Sequence, residues 1–248
     1  MSVTTSRVLN QWRRGLLASA VILAFTAPLA SGAKADPIPP GGQGEHVKVV
    51  GYSALGGRYG AFKIAIKHTK NDKWYLYSGQ SFDQGWSIVD VTDPAKPRYV
   101  KFMPFKTDDK SIITAQVTLH DNLMITALQQ SPPDWGGDPS KPYDEGVLIW
   151  DISNPTDPKL LSHWKTGSTG THRNSYPGGK YAYLSAAAPG YKGNILTILD
   201  VSDPKNPTIA GQWARPNQKE GGAPTPAPFG FHGPANISPD GKIATMGY

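Results

Sequence analysis

Three stretches of the chain repeat one pattern, and this repetition constrains the fold more than any other feature. Each stretch is an apolar run rich in β-branched residues that ends in Asp, followed by an Asp-Pro or Asn-Pro turn. The copies lie at Gly85–Pro94, Gly146–Pro155 and Asn194–Pro204. A second Pro stands three residues after each copy. Such runs predict strands, and the rigid turns after them predict hairpins, so the chain is expected to repeat one unit of several strands.

A further hairpin precedes each copy, and it is clearest before the third. There the strand Thr171–Tyr176 leads through a Pro-Gly-Gly turn into the strand Lys180–Ser185. Two hairpins make a four-stranded antiparallel unit. The equivalent residues Asp90, Asp151 and Asp200 are 151 − 90 = 61 and 200 − 151 = 49 positions apart, close to the roughly 40–50 residues of a propeller blade. The sequence therefore predicts an all-β protein, a β-propeller of four-stranded antiparallel blades.

The blades are expected to occupy residues 61–248, after an N-terminal segment at 36–60. The longer interval contains an insertion, 129–145, predicted between the second and third strands of its blade, with Trp135 as a lid over the channel mouth or a contact for a partner. A fourth blade is expected to begin near Phe231. Because propellers close with about four to eight blades, we expect this chain to be the N-terminal part of a ring of six to eight blades. A half-ring completed by a second chain is the alternative.

The first 35 residues have the features of a signal peptide. A positive segment contains Arg7, Arg13 and Arg14, an apolar run follows over residues 16–29, and a small-x-small site precedes Asp36. The apolar run is shorter than the roughly 20 residues of a membrane span, so no stable span is expected after cleavage. Arg13-Arg14 followed by Leu16-Leu17 also resembles a twin-arginine signal, with an ordinary Sec signal as the alternative. The predicted location is periplasmic or extracellular, including the cell surface.

Charge and composition exclude several classes of function. The net charge of +6 includes four basic residues of the predicted leader, which leaves 6 − 4 = +2 for the remainder, and no basic cluster interleaved with aromatic residues follows, so nucleic acid is not expected as a partner. The chain contains no Cys, which excludes disulfides, thiol catalysis and Cys-ligated zinc.

The Ile-Val-Asp-Val-Thr-Asp-Pro segment at 88–94 and its two copies resemble the LVIVD repeat, a four-strand propeller unit of bacterial and archaeal exported or surface proteins. The resemblance implies a propeller but no common activity. A weaker similarity, carried by Thr171–Asn174 and Phe231–Pro234, is to the propellers of the selenium-binding protein and methanethiol oxidase family. That family implies metal-binding histidines, but its cysteine motif is absent here.

The candidate site follows from propeller geometry, since first strands line the central channel and loops at one face surround its mouth. This places His172, Arg173 and Asn174 at the channel mouth and His232 in the following blade. Asn236 and Gln116 are expected at matching positions of neighbouring blades. These polar groups could recognise an anion, hold a single transition metal through His172 and His232, or simply satisfy one another. Two histidines fall short of the three or four ligands of typical zinc or copper centres.

Three functions remain open on the sequence. The first is an exported module that binds a small ligand or a protein at the propeller face. The second is a metal-dependent enzyme, an oxidoreductase or hydrolase, with the channel histidines as ligands. The third is a structural scaffold of an envelope complex. The recurring Asp90, Asp151 and Asp200 are interpreted as turn-capping residues, because every copy carries one at the end of the same strand.

Overall fold

The computed structural model describes residues 36–39, 45–105, 111–222 and 230–248, and the predicted leader at 1–35 lies outside them. The described residues belong to one compact unit, Ala33–Tyr248. Its regular structure is fourteen β-strands and two three-residue 3-10 helices, Pro133–Trp135 and Pro216–Gln218. Neither of these helices, the only ones in the described ranges, has the length or apolar character needed to cross a membrane.

The first blade is a four-stranded antiparallel sheet in sequence order. Its strands are β1 (Ala61–His68), β2 (Trp74–Gln80), β3 (Gly85–Asp90) and β4 (Arg98–Pro104). The first repeat copy forms β3, whose six residues are all buried. Because β3 lies between two hydrogen-bonded neighbours and two packed faces, its apolar residues are covered on both sides, as expected of a central strand.

The second blade has the same order, but its first strand is split. Its strands are β5 (Ile112–Ile113), β6 (Val117–His120), β7 (Leu123–Gln130), β8 (Gly146–Asp151) and β9 (Lys159–Trp164). Both short strands pair with β7, one at each end. The insertion lies between β7 and β8, that is, between the second and third strands of the blade.

The third and fourth blades depart from the regular pattern at their first strands. The third contains β10 (Tyr181–Ala187), β11 (Asn194–Asp200) and β12 (Thr208–Trp213), and the fourth contains β13 (Asn236–Ile237) and β14 (Ala244–Thr245). The predicted strand at 171–176 joins β10 only through two isolated bridges, Thr171 to Ala186 and Ser175 to Tyr183. Its first residue also donates its N–H to Leu128 of the second blade, so this segment bonds both blades.

The repeated Asp residues close the turns after the third strands. The carboxylates of Asp90, Asp151 and Asp200 each accept a hydrogen bond from the backbone N–H two residues later, at 3.0, 2.7 and 2.9 Å. The side chain of the Asp or Asn before the first Pro of each turn likewise accepts a hydrogen bond from the backbone N–H two residues later, at 3.0–3.2 Å. Side chains that bond their own backbone in this way specify a turn. The recurrence of Asp is therefore structural.

The core lies between blades. Between the first and second blades, Trp86 is fully buried, and its ring centroid is 5.9 Å from that of Trp150 and 6.4 Å from that of Phe105. A second cluster joins Ile125 and Ile149 of the second blade to Leu184 of the third. Each blade thus buries its apolar faces against its neighbours, as stacked repeat units must.

Truncation of Trp86 tests this packing. We expect Trp86→Ala to reduce the free energy of unfolding by about 3–5 kcal/mol, because removal of the large ring leaves a cavity that the surrounding residues fill only in part. Urea unfolding followed by circular dichroism measures the loss. Trp213→Ala is the matched control, since Trp213 is 47% exposed, and its loss should be less than half as large. Equal losses would contradict a core centred on Trp86.

Candidate functional site

Backbone hydrogen bonds join consecutive blades at one end of the sheets. Thr171 N–H donates to Leu128 O at 3.0 Å, and Phe231 N–H donates to Asn194 O at 2.7 Å. Gly170 has φ of +92°, and a Cβ there would lie 2.1 Å from Leu128 O. Only glycine permits this approach without strain. These contacts therefore fix the position at which each connection enters the next blade.

His172 and His232 follow these two connections directly. His172 N–H donates to Ser185 O at 2.8 Å, and the hydroxyl of the same Ser185 donates to Phe231 O, just before His232. Gly233 has φ of +77°, and a Cβ there would lie 2.2 Å from Arg173 O. The two histidines thus hold equivalent places in successive blades, and close backbone packing brings them together.

The imidazole rings of the two histidines form a hydrogen-bonded pair. Their Nε2 atoms are 3.0 Å apart and their ring centroids 4.7 Å apart. Nδ1 of His172 lies 2.6 Å from Oε1 of Gln129. Because that oxygen accepts, Nδ1 of His172 donates and its Nε2 carries a lone pair, to which Nε2–H of His232 donates. Gln129 therefore sets the tautomer of His172.

Both histidines are neutral at physiological pH. Burial lowers the pKa of His172 to about 4, with further lowering by His232, Arg173 and Lys63. Burial and the charge of Arg173 also lower the pKa of His232. Loss of hydration disfavours the imidazolium form, and nearby positive charges disfavour it further. The pair thus stays uncharged within a basic environment.

Two basic side chains, Lys63 and Arg173, lie beside the histidine pair. Nζ of Lys63 donates to the backbone O of Asn174 at 3.0 Å, and the guanidinium carbon of Arg173 lies 5.9 Å from the ring centroid of Phe62. Burial, and then the charge of Arg173, lowers the pKa of Lys63. In the described parts of the chain, neither Lys63 nor Arg173 belongs to an ion pair. We refer to Lys63, His172, Arg173 and His232 as the basic cluster.

Unpaired polar atoms accompany this charge. Gln116 is only 4% exposed, and both atoms of its amide group, like Nε of Arg173, are buried without a hydrogen-bond partner among the described residues. Gln116 directly precedes β6 and extends its pairing with β7, since the Ala127 N–H donates to Gln116 O at 3.3 Å. Thr118, two residues later in β6, accepts the backbone N–H of Tyr176 in the third blade. Strand alternation therefore puts Gln116 on the same side, towards the third blade. Buried polar groups are nearly always hydrogen-bonded, so unpartnered ones beside a cluster of cations indicate a place for a polar ligand.

The structure brings some of the sequence-predicted residues together. His172, Arg173 and His232 lie in the basic cluster, and Gln116 lies on the adjoining blade face. The Asn174 amide is used internally, since it donates to Oγ1 of Thr171 and accepts from the Ser185 N–H. Asn236 is exposed on β13 and pairs with Thr245. The assignment of all six as ligand-binding residues stays a prediction.

The other histidines lie elsewhere. His163 in β9 bonds Glu145 O at 2.8 Å, and His68 contacts Asp72 at 2.8 Å and stacks on Trp74. His120, at the end of β6, lies with its ring centroid 6.2 Å from that of Tyr176. In the described ranges, no three His, Cys, Asp or Glu side chains are placed to hold one metal ion.

Sequence reasoning missed Lys63 and Gln129. Lys63 contacts Asn174 across 111 residues, and Gln129 contacts His172 across 43. One signal could have identified Gln129: it ends the second strand of its blade, at the face where His172 begins a first strand. For Lys63 the signal was weaker, because a lysine in a first strand fits an exposed position equally well.

Comparisons with known proteins agree with the blade architecture. The model of the LVIVD repeat matches residues 143–166 and 178–214, which contain β8–β9 and β10–β12. This match confirms the predicted repeat, and with the four-stranded antiparallel sheets it confirms β-propeller blades. The first repeat copy, in β3, lies outside the matched residues but has the same pairing and the same Asp turn.

No curated protein matches the chain. Among solved structures, it is similar to one described as a functionally unknown protein from Desulfotomaculum acetoxidans DSM 771, with 15% identity and a TM-score of 0.35. The similarity covers 74% of this chain and 62% of that one, so the chain spans less than two thirds of that protein's length. The similarity to the selenium-binding protein family stays a prediction from sequence.

The lowered pKa of His172 predicts a pH-dependent stability. The folded pKa of about 4 lies below the ordinary value of 6.5, so between these values the unfolded chain binds more protons at this residue. The contribution of His172 is therefore fully present above pH 6.5 and is lost as pH falls towards 4. Urea unfolding at pH 7 and pH 4.5 should show a smaller acid-induced loss for His172→Gln than for the wild type. An identical loss in both would contradict burial of a neutral imidazole.

Proposed function

Because the chain carries LVIVD repeats folded as β-propeller blades, we propose that it is an exported module that binds a small anion at the channel mouth through Lys63, Arg173 and the paired histidines. One observation carries the proposal: Lys63, which bonds Asn174 O, and the neighbouring Arg173 lie close enough for the charge of Arg173 to lower the pKa of Lys63, and neither belongs to an ion pair in the described residues. Cations held near one another without a carboxylate repel, and an anion removes that repulsion.

The hydrogen-bonding groups fit an anion as well. Arg173 presents a buried Nε–H without an acceptor, and a guanidinium binds carboxylate, sulfate or phosphate oxygens through paired donors. Lys63 has used one donor on Asn174 O and retains two more. The Gln116 amide adds a neutral donor and acceptor. This set recognises oxygen atoms of an anion by hydrogen bonds as well as by charge.

Export is part of the proposal, and its support is the sequence of residues 1–35. An arginine-containing segment, an apolar run and a small-x-small site follow in the order that a signal peptide requires. An exported binding module would meet small anions in the periplasm or outside the cell.

The anion proposal is tested by titration of sulfate into the full chain, followed by calorimetry. Arg173→Ala should raise the dissociation constant about tenfold or more, because a charge-assisted hydrogen bond contributes about 1.5–3 kcal/mol. Lys63→Ala should weaken binding in the same direction. Lys159→Ala is the matched control, since Lys159 pairs with Asp157 in an outer strand, and it should leave sulfate binding unchanged.

Measurement of sulfate binding at lower pH is a second test of the anion proposal. The charge of sulfate is constant between pH 7 and pH 4, whereas His172 gains a proton as the pH falls towards its pKa of about 4. Affinity for sulfate should therefore rise as pH falls towards the pKa of about 4 of His172. Absence of sulfate binding at both pH values, or equal binding by wild type and Arg173→Ala, would contradict the proposal.

A metal-dependent enzyme is the second candidate, and one distance favours it. Two nitrogen ligands at about 2.0–2.1 Å from one metal lie about 2.9–3.4 Å apart, and the Nε2 atoms of the histidine pair are 3.0 Å apart. Gln129 would orient His172 from the second coordination shell, as carbonyl groups do for metal-bound imidazoles. Against this candidate stand the adjacent cations Lys63 and Arg173 and the lack of a third ligand in the described residues.

Elemental analysis separates the two candidates. If the histidines hold a metal, the full chain should retain about one equivalent of a transition metal, and His172→Ala with His232→Ala should lose it. Substitution of His163, which bonds Glu145 O, is the matched control and should retain the metal. Less than a tenth of an equivalent in the wild-type protein would exclude the metal candidate and leave the anion site unaffected.

A further inference from the structure

A cavity of about 320 Å³ opens between the first and second blades. Tyr59 lies before β1, Phe82 lies between β2 and β3, and Trp135 lies in the insertion between β7 and β8. These loops emerge at the same end of the sheets as the basic cluster. The residues that line the cavity are Tyr59, Ser81, Phe82, Gln84, Ile112, Ser131 and Trp135. Trp135 therefore forms a wall of this cavity, where the sequence had suggested a lid over the channel.

Three exposed aromatic rings form one wall. Tyr59, Phe82 and Trp135 are 72%, 54% and 47% exposed. The ring of Phe82 lies 6.1 Å from that of Tyr59 and 6.3 Å from that of Trp135, at tilts of 34° and 43°. Rings at these distances make a continuous apolar surface. A row of contacting aromatic rings left open to solvent marks a binding surface.

Contacts with neighbouring residues fix the position of the aromatic wall. A Cβ at Gly60, where φ is +83°, would lie 2.6 Å from the ring of Phe82, so glycine allows this ring to pack on the chain entering β1. Tyr59 N–H donates to the carboxylate of Asp83 at 3.3 Å. The buried side chains of Ser81 and Ser131 place hydroxyl groups in the lining. The cavity thus combines an apolar wall with a few polar groups, as small-molecule sites do.

Two short chain segments connect this cavity to the basic cluster. Phe62, over whose ring Arg173 lies, is three positions after Tyr59, and Gln129, which bonds His172, is two positions before Ser131. Segments of two and three extended residues span at most about 7 and 11 Å. The aromatic wall and the basic cluster therefore lie at the same end of the sheets and are joined by these two short segments.

We propose that the ligand of this site is an organic anion that carries a planar aromatic group. Its carboxylate or equivalent acid group binds Arg173, Lys63 and the histidine pair, and its ring stacks on Trp135 and Phe82. The cavity volume lies at the low end of the roughly 300–1,000 Å³ of ligand pockets, which suits one ring or two fused rings. This inference rests on the proposed anion site and specifies its ligand class.

The test compares four probes on the full chain: indole-3-acetate, acetate, uncharged indole and sulfate. Indole-3-acetate joins a planar ring to a carboxylate, whereas acetate and indole each carry one half. We expect indole-3-acetate to bind at least tenfold more tightly than either half. Binding is followed by calorimetry.

Variants of the aromatic wall distinguish the two proposals. Trp135→Ala and Phe82→Ala should each reduce affinity for indole-3-acetate about tenfold and leave sulfate binding unchanged. Trp213→Ala is the control, because Trp213 is also 47% exposed but lies on β12, against Tyr248. Thermal unfolding confirms that each variant is folded.

Two results would overturn the inference while the anion proposal stands. One is sulfate binding with no preference for indole-3-acetate over acetate. The other is a preference for indole-3-acetate that survives both Trp135→Ala and Phe82→Ala. Failure of all three anions to bind would overturn the anion proposal itself, and this inference with it.

Discussion

The backbone hydrogen bonds between blades are the constraint on which the candidate site depends. Each blade is held by its own ladder, but the third blade is also joined to the second by the Gln129–Gly170 bridge, in which Gln130 N–H donates to Thr169 O and Thr171 N–H donates to Leu128 O. That bond requires Gly170 at positive φ. The pairing of residues 171–176 with β10 is irregular between its two bridges, where the Ser185 N–H donates to the side chain of Asn174. The site therefore lies where regular sheet structure is interrupted.

Electrostatics at this point favours an anion over a cation. Burial keeps His172 neutral, so the histidines add donors and acceptors but little charge at physiological pH. Arg173 contributes a guanidinium group, and burial, followed by the charge of Arg173, lowers the pKa of Lys63. A metal ion would add to this positive charge unless it carried anionic ligands of its own. The 3.0 Å separation of the imidazole nitrogens is thus explained by their shared proton, without a metal.

The sequence predicts the blades well because their signals are local. Asp200, for example, bonds the N–H of Ser202 only two residues away, so the turn is readable from its residues alone. The site depends on contacts between residues that are far apart in the sequence, such as Lys63 and Asn174. No local sequence pattern indicates such contacts. The histidines could be predicted because each starts a repeat unit, whereas the roles of Asn174 and Gln116 depend on which buried amide finds a partner. Sequence position alone does not determine that.

One end of the blades carries the Asp turns and the other carries the candidate site. This separation affects which substitutions the candidate site can accept without loss of the fold. The Asp turns follow the carboxyl ends of β3, β8 and β11, at the end of the sheets away from His172 and His232. Neither His172 nor His232 belongs to the core clusters of the described residues, although the adjacent Phe231 does. Substitutions at the channel mouth should therefore alter what is bound while leaving the fold intact. Gly170 and Gly233 are the exceptions, because they belong to the connections that set the height and spacing of the two histidines.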